Sequence, residues 1–290
     1  VTSGATEAIF DIITAFVHPG DEVVLFEPCY DSYVPAVRLA GGTPRFVTLR
    51  APDYGIDWDA FRRVLSSRTR LVVVNSPHNP TGAILGSGDL DELANLLDGS
   101  GVVVLADEVY EHIVFDGDRH RSAAGHPGLC GRSCVVSSFG KTYHTTGWKV
   151  GYVAAPALLS AEVQRVHQFV TFATNTPAQV AYAEFTRART DYDDLAAFYQ
   201  AKRDRFLALT AGSRFAPIPC RGTYFQILDY SAISDEPDDV FARRLLEEHG
   251  VASIPTSAFL YNSDAPRVLR FCFAKKDETL ERAAERLRRV

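Results

Sequence analysis

The segment SSFGKTYHTTGWKVG, residues 137–151, sets two lysines, Lys141 and Lys149, among hydroxyls and glycines directly after the apolar run Cys134-Val135-Val136. A lysine buried beside another cation becomes partly neutral and can act as nucleophile or base. One that keeps its charge can instead neutralise an anion, so the two lysines invite separate tasks. Polar groups follow other apolar runs in the same way: LVVVN leads into SPHNPTG with Asn79, and VVVLAD into EVYEH with Asp107 and Tyr110. Near the start, Ser3-Gly4-Ala5-Thr6-Glu7 opens an amphipathic pattern. At a helix N-terminus the free N–H groups and the dipole favour an anion, and Gly4 allows close backbone approach. Each motif alone has an ordinary reading: a turn for SPHNP, a solvated strand end for Asp107, a Ser/Thr cap for SGATE and a surface side chain for Lys141. Gathered at one edge of one sheet, these ordinary readings lose ground, because ligands of open α/β sheets bind beyond the carboxyl ends of the strands.

The elements that must position these groups are legible in the periodicity. Over residues 1–180 short β-branched runs alternate with helical patterns, as a parallel sheet with crossover helices requires. Candidate strands run from Glu22 to Phe26, Pro44 to Leu49, Leu71 to Asn75, Val102 to Asp107, Cys134 to Ser138 and Gly151 to Ala154. Most are apolar on both faces, which suits central strands. Ile9, Phe10, Ile12, Ile13, Phe16 and Val17 recur at helical spacing until Pro19-Gly20. Ser160 to Arg189 is also helical, with an interruption at Pro177. Beyond it, charged helices (Tyr192 to Leu209, Asp238 to His249, Asp277 to Arg289) interleave with strands from Tyr224 to Leu228, Val251 to Ile254 and Val268 to Phe273. The expectation is a large, mostly parallel-sheet α/β domain over residues 1–180 and a smaller C-terminal α/β domain over 181–290.

Composition narrows the class of partner. With 290 residues, 46% hydrophobic and 23% charged, the chain is long enough for a sizeable core. A net charge of −6 argues against nucleic acid or an anionic membrane as the main partner and for a small molecule. Five cysteines without a CxxC framework suit reduced thiols in a cytoplasm. No apolar run is long enough to span a membrane and no signal segment is visible. The chain contains no methionine and opens inside a structural element, so an N-terminal segment is expected to be missing. The eight histidines show no HExxH spacing; His78, His112 and His144 merely flank the motifs, and no metal is indicated.

Taken together, the chemistry has four parts. Lys141 offers an amine for an aldehyde carbon; Lys149, Ser138 and the Ser3 to Thr6 helix start offer an anion site. Asp107 would keep a heteroaromatic nitrogen protonated. Tyr110 and Asn79 could donate to a phenolate oxygen, and Tyr30 offers a flat face for stacking. Aldehyde, phosphate, ring nitrogen and ring hydroxyl are the groups of pyridoxal 5′-phosphate, PLP. A dinucleotide is poorly supported, since the SGATE segment has one glycine and no GxGxxG. Arg270, in the apolar strand pattern Val268-Leu269-Arg270-Phe271-Cys272-Phe273, is expected to be partly buried and to want a planar anion such as a carboxylate.

SGATEA, FEPCYDSY, NSPHNPTG, ADEVYEH, SSFGKTYHTTGWKVG and LRFCFAKK, in this order, resemble the fold type I, class I/II PLP-dependent aminotransferases. Within them the chain looks most like the methionine aminotransferase and kynurenine–oxoglutarate transaminase branch, because lysine stands in GWKVG where much of the superfamily has arginine. The resemblance implies that Lys141 forms the internal aldimine and exchanges the substrate's α-proton. It implies that Asp107 pairs with the pyridinium nitrogen, that Asn79 and Tyr110 bond the ring hydroxyl, and that Tyr30 stacks on the ring. Ala5, Thr6, Ser138 and Lys149 would bind phosphate, and Arg270, beside Asn79, the substrate carboxylate. It further implies a homodimer that passes an amino group from an amino acid (methionine, aromatic or kynurenine-like) to a 2-oxo acid. Tyr224 and the Ile254 to Phe259 segment are also suggested as pocket walls, but packing explains them equally well and they are not counted in the site. A PLP-dependent β-lyase on sulfur amino acids, a non-catalytic ligand-sensing domain and an inactive fragment are the alternatives.

Overall fold

The computed structural model describes residues 1–188, 192, 194–261 and 265–290. The spacing of Ile9, Ile12 and Ile13 buries one face of α1 (Ala5–Phe16). There follow β1 (Glu22–Glu27), α2 (Tyr33–Leu39), β2 (Thr43–Thr48), α3 (Trp58–Val64), β3 (Thr69–Asn75), α4 (Ser87–Leu97) and β4 (Val103–Asp107). Next come β5 (Ser133–Ser138), the single turn α5 (Phe139–Thr142) and β6 (Gly151–Ala154). These strands form a six-stranded sheet in the order β2-β1-β3-β4-β5-β6.

Both faces of this sheet are covered, which explains the continuous apolar strands. Val24, Phe26, Val72, Val74, Val104 and Ala106 face Phe61 of α3 and Leu90 and Leu93 of α4. Their alternates Val23, Leu25, Leu71, Val73, Val103 and Leu105 face Ile9 and Ile12 of α1 and Val34 and Val37 of α2. β2, at the edge of the sheet, is the exception, with its residues half exposed in alternation. Pairing is parallel from β2 through β5, and β6 runs antiparallel to β5. That reversal matters for the site. Gly151 opens β6 opposite Ser138, which closes β5, so Lys149 returns to the edge where Lys141 lies.

Two helices, α6 (Ala157–Val170) and α7 (Thr176–Ala188), replace the interrupted one expected over Ser160 to Arg189; Arg189 lies outside the described residues. Pro177 does not interrupt α7 but stands in its first turn, where a missing N–H forfeits no helical bond. After α8 (Leu195–Thr210) come β7 (Ala216–Pro217), β8 (Phe225–Asp229), α9 (Asp238–His249), β9 (Ile254–Pro255), β10 (Val268–Cys272) and α10 (Asp277–Leu287). The four strands form a second sheet in the order β7-β8-β10-β9, with antiparallel pairing. The strand expected from Val251 to Ile254 is reduced to Ile254–Pro255, and β7 was not anticipated; both pair over only two residues, too few to show a period of two. The core of this second sheet, with Phe206, Phe241 and Phe271, continues into Val109, Tyr110, Ile113 and Phe115 just beyond β4. The groups at the end of β4 therefore sit where the two sheets' cores meet.

Candidate active site

Asp107 ends β4 and is 3% exposed. Its Oδ2 accepts from the Tyr33 hydroxyl at 2.5 Å and its Oδ1 from the Val109 amide at 3.3 Å. Burial raises its carboxyl to about 6, against the opposing pull of the Tyr33 and Val109 hydrogen bonds and the Lys141 charge. No lysine or arginine among the described residues comes within ion-pair distance, 4.0 Å, of this carboxylate.

At the end of β3, Asn75 Nδ2 donates to the Asp107 carbonyl and Asn75 Oδ1 accepts from the Asn79 amide, both at 2.8 Å. The SPHNP turn is thereby folded back so that Asn79 lines the same cleft as Asp107. The Arg270 guanidinium donates to Asn79 Oδ1 at 2.6 Å and lies 4.0 Å and 4.7 Å from the ring centroids of Phe225 and Phe259. Burial lowers its pKa, and no carboxylate among the described residues pairs with it. An arginine held between aromatic faces and left without an anion is set to receive one.

Past β5, Ser138 caps α5, its Oγ accepting from the Gly140 amide at 3.2 Å. That turn carries Lys141 into the cleft, where Nζ donates to the Tyr224 hydroxyl at 3.0 Å and stands 5.5 Å from the Tyr110 ring centroid. Tyr110 is buried, and its hydroxyl donates to Tyr224 at 3.5 Å. Burial first, then the neighbouring Tyr224, pushes the Tyr110 phenol well above its usual range, so it stays a neutral donor.

The far end of the cleft is the start of α1. Gly4 takes the N-cap position at φ 82° without a side-chain cap, so the ordinary reading of SGATE as a Ser/Thr cap does not hold. Ser3 is turned away, its amide donating to the Glu7 carboxylate. The amides of Ala5 and Thr6 lie in the first turn, where no preceding carbonyl can accept them. A bridge between Thr2 and Gly151 pins this turn against β6. A Cβ at Gly151 would approach the Ala5 nitrogen to 2.9 Å, and one at Gly4 would approach Lys149 Nζ to 3.2 Å. Lys149 itself is in left-handed conformation, φ 53°. Thr6 Oγ1 lies 3.4 Å from the Tyr30 hydroxyl.

One cleft, enclosing about 630 Å³ of empty space that includes open solvent, is thus lined by Ala5, Thr6, Tyr30, Asn79, Asp107, Tyr110, Ser138, Lys141 and Lys149. Arg270 joins it through Asn79. Among the described residues, the lining of the wider cleft between Arg50, Tyr54, Thr256 and Tyr261 holds neither lysine nor carboxylate. His78 turns to Thr81 and His144 to Tyr199, away from the cleft. Sequence reasoning passed over Tyr33, although FEPCYDSY contains it, and Asn75. It set Tyr224 and Phe259 aside as packing, because a tyrosine within an apolar strand pattern carries no sign of which face its hydroxyl takes.

The donor set fits PLP: a buried carboxylate lacking a cation for the ring nitrogen, the neutral Tyr110 phenol as a donor for the ring oxygen, and an uncapped helix start with a lysine for the phosphate. Residues 1–287 match the family Aminotransferase class I and II. The chain belongs to the class I and II aminotransferases. It is a PLP-dependent aminotransferase catalysing transamination. It is 49% identical to the methionine aminotransferase of Escherichia coli over 100% of this chain and 75% of that one. The crystal structure of that enzyme superposes with a TM-score of 0.97. The N-succinyldiaminopimelate aminotransferase structure from Mycobacterium tuberculosis matches at TM-score 0.95 and 40% identity, over 99% of this chain and 76% of that chain. A kynurenine–oxoglutarate transaminase of Dictyostelium discoideum is 34% identical over 98% of this chain and 74% of its own length. Among the described residues no helix of this aminotransferase is long and apolar enough to cross a membrane.

Proposed function

We propose that this aminotransferase takes amino acids with methionine-like, aromatic or kynurenine-like side chains as donors. The observation that carries this reading is the Arg270 guanidinium held between Phe225 and Phe259 and anchored on Asn79, with the rings of Tyr110 and Tyr224 nearby. An arginine with aromatic neighbours suits a carboxylate attached to an apolar or aromatic body. The names of the relatives from Escherichia coli and Dictyostelium discoideum point the same way.

In this reading Lys149, Ser138 and the Ala5 and Thr6 amides hold the phosphate, Tyr30 covers the ring face, and Asn79 and Tyr110 bond the ring oxygen. Asp107 holds the ring nitrogen in its protonated form. When bound, PLP supplies an electron sink that makes the α-proton of an amino acid removable. Lys141 would hold the cofactor at its aldehyde end. With a substrate bound, its Nζ would take the proton from the substrate's α-carbon as general base and hand it on as general acid, so that the amino group can change carrier. Arg270 and Asn79 fix the carboxylate, so that the α-carbon is presented to Nζ.

We further propose the division into a large unit over 1–180 and a small one over 181–290, with the boundary inside α7, and a cytoplasmic homodimer. Support for the dimer is the exposure of Phe169, Val170 and Phe172, three large apolar side chains within four positions of one another at the end of α6 and just beyond it. Sedimentation of wild type against a Phe169→Ser, Phe172→Ser double variant tests it. Donor selectivity is tested by a panel of amino acids against 2-oxo acids. Pyruvate with ammonia from a sulfur amino acid, without a new amino acid, would instead indicate lyase chemistry.

A further inference from the structure

Behind the phosphate end of the cleft, Glu7 and Asp11 of α1 converge with His167 of α6. His167 Nδ1 lies 2.8 Å from Glu7 Oε1 and 3.7 Å from Asp11 Oδ2, and one ligand atom of each residue falls within 4.8 Å of the others. Asp11 is 0% exposed, yet neither of its carboxylate oxygens accepts a hydrogen bond. The Ser3 amide and the Thr171 side chain serve Glu7 instead. A buried carboxylate without a donor is strongly unfavourable unless a cation or a proton joins it. Elsewhere the chain solves the same problem with its own groups. In the cluster of Glu108, Glu111 and His120, Glu108 accepts from the Ala123 amide at 2.9 Å and meets His120 at 2.8 Å, while Glu111 accepts from the Ser137 hydroxyl at 2.6 Å.

We propose that Glu7, Asp11 and His167 bind one divalent transition-metal ion, with water completing its shell. Two carboxylates and an imidazole are a donor set that zinc and its neighbours accept. Ligand atoms around such an ion, with bonds of roughly 2.1 Å, stand about 3.4 Å apart in a tetrahedron, and the observed 2.8 Å and 3.7 Å separations bracket that spacing. None of the three side chains lines the cofactor cleft. The role is therefore structural: the ion supplies the charge that Asp11 lacks and fastens α6 to the α1 turns that begin at the phosphate site. No ligand spacing betrays the site in the sequence, because His167 stands 160 residues from Glu7.

The test uses the cofactor-loaded chain in a Cys130→Ser background, since Cys130 is an exposed thiol that would bind stray zinc. After chelation and dialysis, Zn²⁺ alone is titrated calorimetrically, and melting temperature is followed in parallel. One Zn²⁺ per chain is expected, with a raised melting temperature. Asp11→Asn should weaken binding by more than the about 10- to 100-fold typical of losing an outer-shell partner. His167→Gln, at a partly exposed position, serves as the second variant should Asp11→Asn fold poorly. Absence of Zn²⁺ binding by wild type, or equal binding by wild type and both variants, would overturn the proposal and leave Asp11 as a carboxyl that keeps its proton. Neither readout depends on turnover, so the outcome is independent of the assigned activity.

Discussion

The hydroxyl of Tyr33 donates to Asp107 Oδ2 at 2.5 Å, inside a region where both side chains are buried. Burial, and then the charge of Asp107, holds the Tyr33 phenol far above its usual range, so it remains a donor. This bond positions the carboxylate and favours its charged form, the form that can pair with a protonated ring nitrogen. A hydrogen bond to a charged group contributes about 1.5–3 kcal/mol. Tyr33→Phe, which keeps the ring and removes only the hydroxyl, should therefore weaken PLP binding by about 10-fold or more. Cofactor dissociation constants from fluorescence titration check it; unchanged affinity would mean that the bond merely packs.

The same carboxylate makes stability depend on pH in the cofactor-free chain. Asp107 titrates near 6 when folded and near 3.8 in an ordinary setting, because burial disfavours the charge. Between these values the folded chain keeps a proton that the unfolded chain has released. Stability consequently falls as pH rises through the window and levels off above it. An asparagine does not titrate. The stability of wild type relative to Asp107→Asn should drop by about 2 kcal/mol between pH 4 and pH 7. Urea unfolding of both proteins at several pH values measures this, and a difference that does not change with pH contradicts it.

Among the described residues the Lys141 amine has one polar partner, the Tyr224 hydroxyl at 3.0 Å. If its amine moves the α-proton, Lys141→Arg must fail although charge is kept, because a guanidinium neither bonds to the aldehyde nor gives up a proton near neutral pH. Turnover should fall by at least about 100-fold, with loss of the protein-bound cofactor's characteristic absorbance. Tyr224→Phe should leave that absorbance in place and slow turnover more mildly, since only the aim of the amine is loosened. Stopped-flow half-reactions separate the two effects. Normal half-reaction rates in Lys141→Arg would remove this lysine from the mechanism.

How much of this was legible in the sequence depends on the range of the signal. Asp107, Asn79 and Lys141 could be read because each follows a run of buried β-branched residues, and parallel pairing brings such ends to one edge. Lys149 was legible only through its motif: nothing in GWKVG announces that β6 runs backward and returns it to that edge. Tyr224, Tyr33 and the aromatic faces around Arg270 were hidden for a different reason. Their contacts join segments far apart in the chain, and a ring in an apolar strand reads the same whether its hydroxyl meets solvent or the Lys141 amine. Pro177 misled through a local rule applied without register, since proline inside a helix breaks it whereas proline in the first turn starts it.

Arg270 supplies the sharpest test of the substrate end. Its guanidinium uses Nη1 on Asn79 and lies against Phe225 and Phe259, which leaves its remaining donors for a carboxylate approaching from the cleft. Arg270→Lys keeps the charge but replaces a planar fork with a point charge, and it loses the stacking. With one to two charge-assisted hydrogen bonds lost, kcat/KM should fall by roughly 10²- to 10³-fold for every amino acid donor, whatever its side chain. An amine of matching side chain but lacking the carboxylate should lose nothing further in the variant. Assays of methionine, phenylalanine and their decarboxylated amines against one 2-oxo acid make the comparison. If the amines suffer as much as the amino acids, Arg270 supports the pocket wall through its contacts with Phe225 and Phe259 and does not read the carboxylate.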